Sequence, residues 1–336
     1  MNSFARRLRD VTSALGKARR RTTLVALVIL VPLLLSSCSS LTPTSKPAPG
    51  SLVSKVDLQG VTIAVGSKNY SEQRMLGALY VTALRAAGAE VVDRTGIGGT
   101  MLAYSALKSN QIDLYSEYTG TAWATILGQS EVVSDPQVLF DKVNSLSNAS
   151  DLTWFAMSPA NSNYAIAAPE ALLQQLGVNT LSDYAELVRK DPAAGRLCSS
   201  TEFATRDDGL PGVEKKYGFS VPKDQVLIQE SSISVATMTT QHQCEFTSAV
   251  AADPRLPTYE LRPLIDDRQA FPSYNPAIVM HTEAYEAHKE AYDEILGSIN
   301  SLITQDVLVS LNGRVQLDDQ PEARVAAEFL RENNII

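Results

Sequence analysis

Val61-Thr-Ile-Ala-Val65 is a compact β-branched run, and the residues immediately downstream of it decide the fold. Met75, Leu76, Leu79, Tyr80, Ala83, Leu84 and Ala87 recur at helical spacing and give one apolar stripe. Gly88 closes that helix, and Glu90-Val-Val-Asp-Arg94 reads as a second strand. Gly96-Ile-Gly-Gly-Thr100 leads into a helix ending at Ser109-Asn110, and Ile112-Asp-Leu-Tyr115 is a third strand. Strands alternating with helices argue α/β with mainly parallel sheets. Further strands are expected at 152–156, 164–168, 196–199, 225–229, 244–250, 259–264 and 277–281. Only helices come after these, over 283–299, 304–313 and 321–333. A body of about 280 residues usually divides into two lobes. The element order predicts lobe I at 56–160, lobe II at 161–271 and a return to lobe I at 272–336. Such a double crossing makes a hinged cleft, a favoured place for a small ligand.

Upstream, residues 1–37 read as an export signal. Arg6, Arg7, Arg9, Lys17, Arg19, Arg20 and Arg21 stand against one acid, Asp10, and an apolar run covers 24–35. That run is short for a bilayer span, which needs ~20 apolar residues. Leu35-Ser-Ser-Cys38 resembles a lipobox, in which the Cys38 thiol is acylated and holds the body on the membrane. The alternative is a transmembrane anchor with an incidental cysteine. Residues 38–55, rich in Ser, Thr and Pro, read as a flexible tether. Removing 1–37 takes seven basic residues and one acid from 29 and 37, leaving 22 against 36 and a formal charge of −14. So acidic a body is unsuited to nucleic acid. Cys198 and Cys244 remain, and an oxidising exterior suggests a disulfide, two buried thiols being the alternative.

Enzyme chemistry finds little support. The three histidines, His242, His281 and His288, fall in no metal-ligand spacing, and no Gly-x-Ser-x-Gly elbow occurs. No metal or cofactor is expected. Glu117 has no neighbour in sequence that would make it an acid or base, and reads as a strand-end carboxylate. The glycines at 96–99 read as tight-turn residues before a helix. Tyrosine does stand out, with twelve against eight phenylalanines and two tryptophans. Tyr70, Tyr115, Tyr118, Tyr164 and Tyr274 fall where strands should end, the side of an α/β sheet that faces a ligand crevice. Ring faces there suit a quaternary ammonium, which cannot donate a hydrogen bond. Tyrosine at a half-buried edge has an equally simple packing explanation.

Val65-Gly-Ser-Lys-Asn-Tyr-Ser-Glu-Gln73, Gly98-Gly-Thr100, Ile112-Asp-Leu-Tyr-Ser-Glu-Tyr-Thr-Gly-Thr121, Asn163-Tyr164, Glu202-Phe-Ala-Thr-Arg-Asp-Asp-Gly-Leu-Pro-Gly212 and Phe271-Pro-Ser-Tyr274 occur in that order. Together they resemble the ProX/OpuC-type osmoprotectant-binding proteins of ABC importers. The resemblance implies a type II periplasmic-binding-protein fold, with parallel-dominated sheets and a ligand cleft between the lobes. It also implies a quaternary-ammonium ligand such as glycine betaine, choline or carnitine, and permease and ATPase subunits as partners. By position, Lys68, Tyr118 and Thr121 come from the first lobe, Tyr164 from the first crossover, Arg206 from the second lobe and Tyr274 from the return. Lys68, Arg206 and the Thr121 hydroxyl are then expected to hold a carboxylate, and the three tyrosines to surround a trimethylammonium. One departure is Val250, in Ser248-Ala-Val-Ala-Ala-Asp253, where the family carries another cage aromatic. That opens two alternatives: the same fold with an aromatic or other zwitterionic ligand, or a ligand-sensing lipoprotein not coupled to transport.

Overall fold

The computed structural model describes residues 51–229 and 243–336. Residues 1–37, read as an export signal, Cys38, residues 39–50 of the expected tether and His242 lie outside the described residues. The body begins earlier than the tether reading placed it. Leu52–Lys55 forms a 3-10 turn with Val53 buried. The Leu52 and Val53 N–H groups donate to the carbonyls of Asn334 and Ile335, both at 3.0 Å.

The first sheet contains β1 (Thr62–Lys68), β2 (Glu90–Gly98), β3 (Leu114–Tyr118), β4 (Leu152–Phe155) and β10 (Pro276–His281), in the order β2-β1-β3-β10-β4. The second contains β5 (Tyr164–Pro169), β6 (Leu197–Ser199), β7 (Val226–Ile228), β8 (Phe246–Val250) and β9 (Leu261–Pro263), in the order β7-β6-β8-β5-β9. In each, a parallel trio built through strand–helix–strand units meets a strand arriving from the other sheet. β10 runs antiparallel to β3 and β4, and β5 runs antiparallel to β8 and β9. Four of the five strands in each sheet therefore run the same way, and the one that enters from the opposite lobe points back along its neighbours. The two connecting segments lie side by side. Ser158 N–H donates to Pro276 O at 2.7 Å, Ser162 N–H to Tyr274 O at 3.0 Å, and the Asn275 amide to the Ser158 and Ala160 carbonyls.

Helix α1 (Ser71–Ala86) buries the stripe read from the sequence, Met75, Leu76, Leu79, Tyr80, Ala83 and Leu84. These meet Ile295, Val325, Phe329 and Leu330 in one core. Full burial of each leucine stabilises the fold by about 1.5–3 kcal/mol. The opposite face of the sheet is covered by Leu107, Trp123, Leu139 and Trp154. Three local expectations shift. β3 runs three residues further than expected, to Tyr118. Gly96 and Gly98 belong to the end of β2, where the pairing register slips between Gly66 and Lys68; Gly96, at φ +81°, adopts what only glycine holds without strain there. α2 (Thr100–Lys108) starts after Gly99. The helix expected over 283–299 breaks at His288 (φ −140°, ψ 33°), with Thr282–Ala287 on one side and Lys289–Tyr292 on the other.

Cys198, on β6, and Cys244, two residues ahead of the neighbouring parallel strand β8, are joined by a disulfide with a Cα–Cα separation of 5.7 Å.

Candidate functional site

A cavity of about 320 Å³ lies between the two sheets. Lys68, Tyr118, Thr121, Tyr164, Arg206 and Tyr274 all line it. β1 delivers Lys68 at its carboxyl end and β3 delivers Tyr118, with Thr121 one turn beyond. Tyr164 opens β5, and Tyr274 precedes β10 in the returning segment. Arg206 caps the short helix Thr201–Thr205 of the second lobe. Tyr115 does not join them. It shares a strand face with Glu117, is fully buried in the core, and donates to Glu117 Oε2 at 3.1 Å. Extension of β3 to Tyr118 places Tyr115 in mid-strand.

The rings converge. Tyr164 meets Tyr274 edge-on at 5.4 Å between centroids and Phe203 at 5.2 Å. Burial pushes the phenol pKa of Tyr118, Tyr164 and Tyr274 upward, so these rings stay neutral at physiological pH. Gly120 keeps Tyr274 in place: a Cβ there would lie 2.7 Å from Ser273 O and 2.8 Å from the Tyr274 ring. Val250 is the cross-strand partner of Tyr164 and also lines the cavity, so the aliphatic residue does stand on the wall. Phe203 and Tyr70 line the cavity as well, and they supply aromatic surface beyond Tyr118, Tyr164 and Tyr274.

Both basic groups are already paired with carboxylates of this chain. Lys68, buried, sits 2.5 Å from Glu117 and donates to Thr100 Oγ1 at 3.0 Å; its ammonium is 5.1 Å from the Tyr118 centroid. Arg206 donates through Nε to Asp208 at 2.7 Å, through a second nitrogen to the other Asp208 oxygen, and to Glu202 at 2.9 Å. Its guanidinium lies 5.5 Å from the Tyr164 centroid and reaches Thr121 Oγ1 at 3.3 Å. Burial is the largest single influence on the Arg206 pKa and lowers it, but the Asp208 hydrogen bond and the charges of Tyr164, Asp208 and Glu202 together raise it. Burial likewise works to raise Glu202, while Lys68 and Arg206 hold it below the usual value. These groups also tie the lobes together. Thr100 Oγ1 donates to Glu202 at 3.1 Å, and the Tyr274 hydroxyl donates to Asp208 at 2.7 Å.

Sequence reasoning missed Glu72, Glu202, Phe203 and Asp208. Glu202 and Arg206, four apart at a helix, carried a legible pairing signal. Glu72 carried none. Its carboxylate accepts from Tyr118 OH at 2.6 Å, Ser162 Oγ at 2.8 Å and Asn312 Nδ2 at 2.7 Å, and burial raises its pKa. Of the described histidines, His281 bonds the Leu107 carbonyl and His288 lies against Tyr292, both away from this cavity.

Comparison with known proteins gives this geometry a lineage. A glycine-betaine-binding protein of Pseudomonas aeruginosa is 32% identical over 286 residues, covering 83% of this chain and 90% of that protein. The ergothioneine transport permease/ergothioneine binding protein EgtU of Helicobacter pylori is 26% identical over 282 residues, covering 83% of this chain and 49% of that protein. Apo YehZ from Escherichia coli superposes with a TM-score of 0.61 at 25% identity, covering 82% of this chain and 99% of that one. The two sheets, doubly connected around one cleft, are the two-lobed type II periplasmic-binding arrangement. Residues 61–332 match the family model for the substrate binding domain of ABC-type glycine betaine transport systems, and the chain belongs to that family.

Proposed function

We propose that this chain is the extracytoplasmic receptor of an ABC importer and encloses a quaternary-ammonium compound such as glycine betaine, choline or carnitine. The observation that carries the reading is the convergence of Tyr118, Tyr164 and Tyr274 on one cavity between the lobes. Neutral ring faces attract a methylated cation by about 0.5–2 kcal/mol each, more when water is excluded. Lobe I (56–160 and 272–336) and lobe II (161–271) close on the ligand, and the closed state is what the permease and ATPase subunits read. The contacts Thr100–Glu202, Thr121–Arg206 and Tyr274–Asp208 support that closure. Calorimetric titration with the three amines tests the reading. Tyr164→Ala, at a partly exposed ring, is expected to weaken binding by about 1–2 kcal/mol, roughly tenfold. Absence of binding by all three compounds refutes the proposal.

A second reading keeps the fold and changes the ligand to a bulkier zwitterion. Val250 in the cavity wall favours it, and a relative named for ergothioneine gives it a concrete candidate. Thermal stabilisation by ergothioneine, with none from the three amines, would select this alternative.

Residues 1–37 serve as the export signal and Cys38 as the acylated residue in the same proposal, supported by the basic segment, the apolar run and Leu35-Ser-Ser-Cys38. Cys38→Ser is expected to move the protein from the membrane pellet to the soluble fraction. An unchanged distribution on fractionation would argue for a spanning anchor instead.

A further inference from the structure

The cavity extends past the aromatic cage to a wall rich in hydrogen-bond acceptors. Glu72, at the start of α1, and Asn312, on the helix Gln305–Gln316, both line it. Asn312 is 1% exposed. Its Nδ2 donates to Glu72 Oε2 at 2.7 Å and to Ala252 O at 3.1 Å. Both partners are acceptors, which fixes the orientation of the amide. The opposite atom, Asn312 Oδ1, is buried with no hydrogen-bond partner among the described residues, and the same holds for Ser71 Oγ, on another residue lining the cavity. A buried acceptor without a donor has lost its water and gained nothing in return, a cost that a donor brought by a ligand removes.

The charges point the same way. Lys68 is paired with Glu117, Arg206 with Asp208 and Glu202, and Arg255 with Asp253. Glu72 has no ion-pair partner among the described residues and is held only by neutral donors. Since Tyr118 OH touches Glu72, the carboxylate stands one hydroxyl away from a ring of the cage. A short substituent on a methylated nitrogen held by that ring therefore reaches it. A hydroxyl or N–H there finds Glu72 and Asn312 Oδ1; a carboxylate there meets a second carboxylate with no cation between them.

Resting on the quaternary-ammonium reading above, we propose that Glu72 and Asn312 form a donor-accepting subsite. It selects quaternary-ammonium compounds that carry a hydroxyl or N–H close to the methylated nitrogen over those that carry a carboxylate. Asn312 and Glu72 are thus specificity-determining residues, beyond the cage that holds the cation.

The test uses the parent protein and three probes, choline, ethyltrimethylammonium (choline without its hydroxyl) and glycine betaine, titrated by calorimetry. Choline is expected to bind at least tenfold more tightly than either of the others, the size of one hydrogen bond to a charged acceptor. In Glu72→Gln and Asn312→Leu the ratio of choline to ethyltrimethylammonium affinity is expected to fall toward one. The parent's own ratio decides the matter even where a variant folds poorly. Equal affinity for choline and ethyltrimethylammonium, or tightest binding by glycine betaine, overturns the subsite while the cage stands. Binding of none of the three overturns the subsite and the cage together.

Discussion

Glu117→Ala is expected to destabilise the protein by about 3–5 kcal/mol, the usual cost of leaving one member of a buried ion pair uncompensated. Lys68 is 2% exposed and Glu117 is 0% exposed, so water does not replace the missing carboxylate. The same substitution strands the Tyr115 hydroxyl and the Tyr118 N–H, which both donate to Glu117. Binding should weaken as well. Lys68 holds Thr100, and Thr100 holds Glu202 across the cleft, so the loss reaches a contact between the lobes. The double variant Lys68→Met/Glu117→Leu is expected to recover most of the stability, since well-packed apolar groups replace such pairs at little cost. Denaturant titration of the parent, single and double variants measures this. A single variant as stable as the parent would show that the pair is not buried in solution.

Reduction of Cys198–Cys244 is the second large effect. The bridge spans 46 residues of sequence. A loop of that length restricts the unfolded chain by about 4 kcal/mol in the chain-entropy model. It joins the strand β6 to the start of β8 at the centre of the second sheet, so the loss falls on the second lobe. Thermal melts with and without a thiol reductant should differ by a lower first transition in the reduced sample, matched by Cys198→Ser. Superimposable melts would mean that the bridge contributes nothing.

Periodicity accounts for the parts of the fold that were legible in the sequence. The stripe of α1 and the β-branched run of β1 are local patterns, and both elements formed where they were read. The direction of β5 and β10 was not legible, because an apolar run of six residues looks the same whether its neighbours run with it or against it. Tyr115 and Tyr118 show how narrow the margin is at a site. Three residues of extra strand moved the crevice end of β3 from one tyrosine to the other. The six residues that meet at the cavity were read from a family resemblance together with the rule that strand ends face the crevice. The acids came from neither. Lys68 and Glu117 are far apart in sequence and adjacent only once β1 and β3 pair, and Glu72 meets Asn312 only when the last helices have packed. Local spacing carries no trace of such meetings.

The place of β10 has a consequence for the order in which the molecule is put together. It lies between β3 and β4, and β4 bonds to no other strand among the described residues. Until residues 276–281 arrive, the first sheet is a three-stranded fragment with β4 detached. The second sheet draws all five of its described strands from residues 164–263. The strands of the second sheet are therefore all in hand before residues 276–281 complete the first, and bringing Leu114 beside Met280 closes the longest loop between paired strands among the described residues.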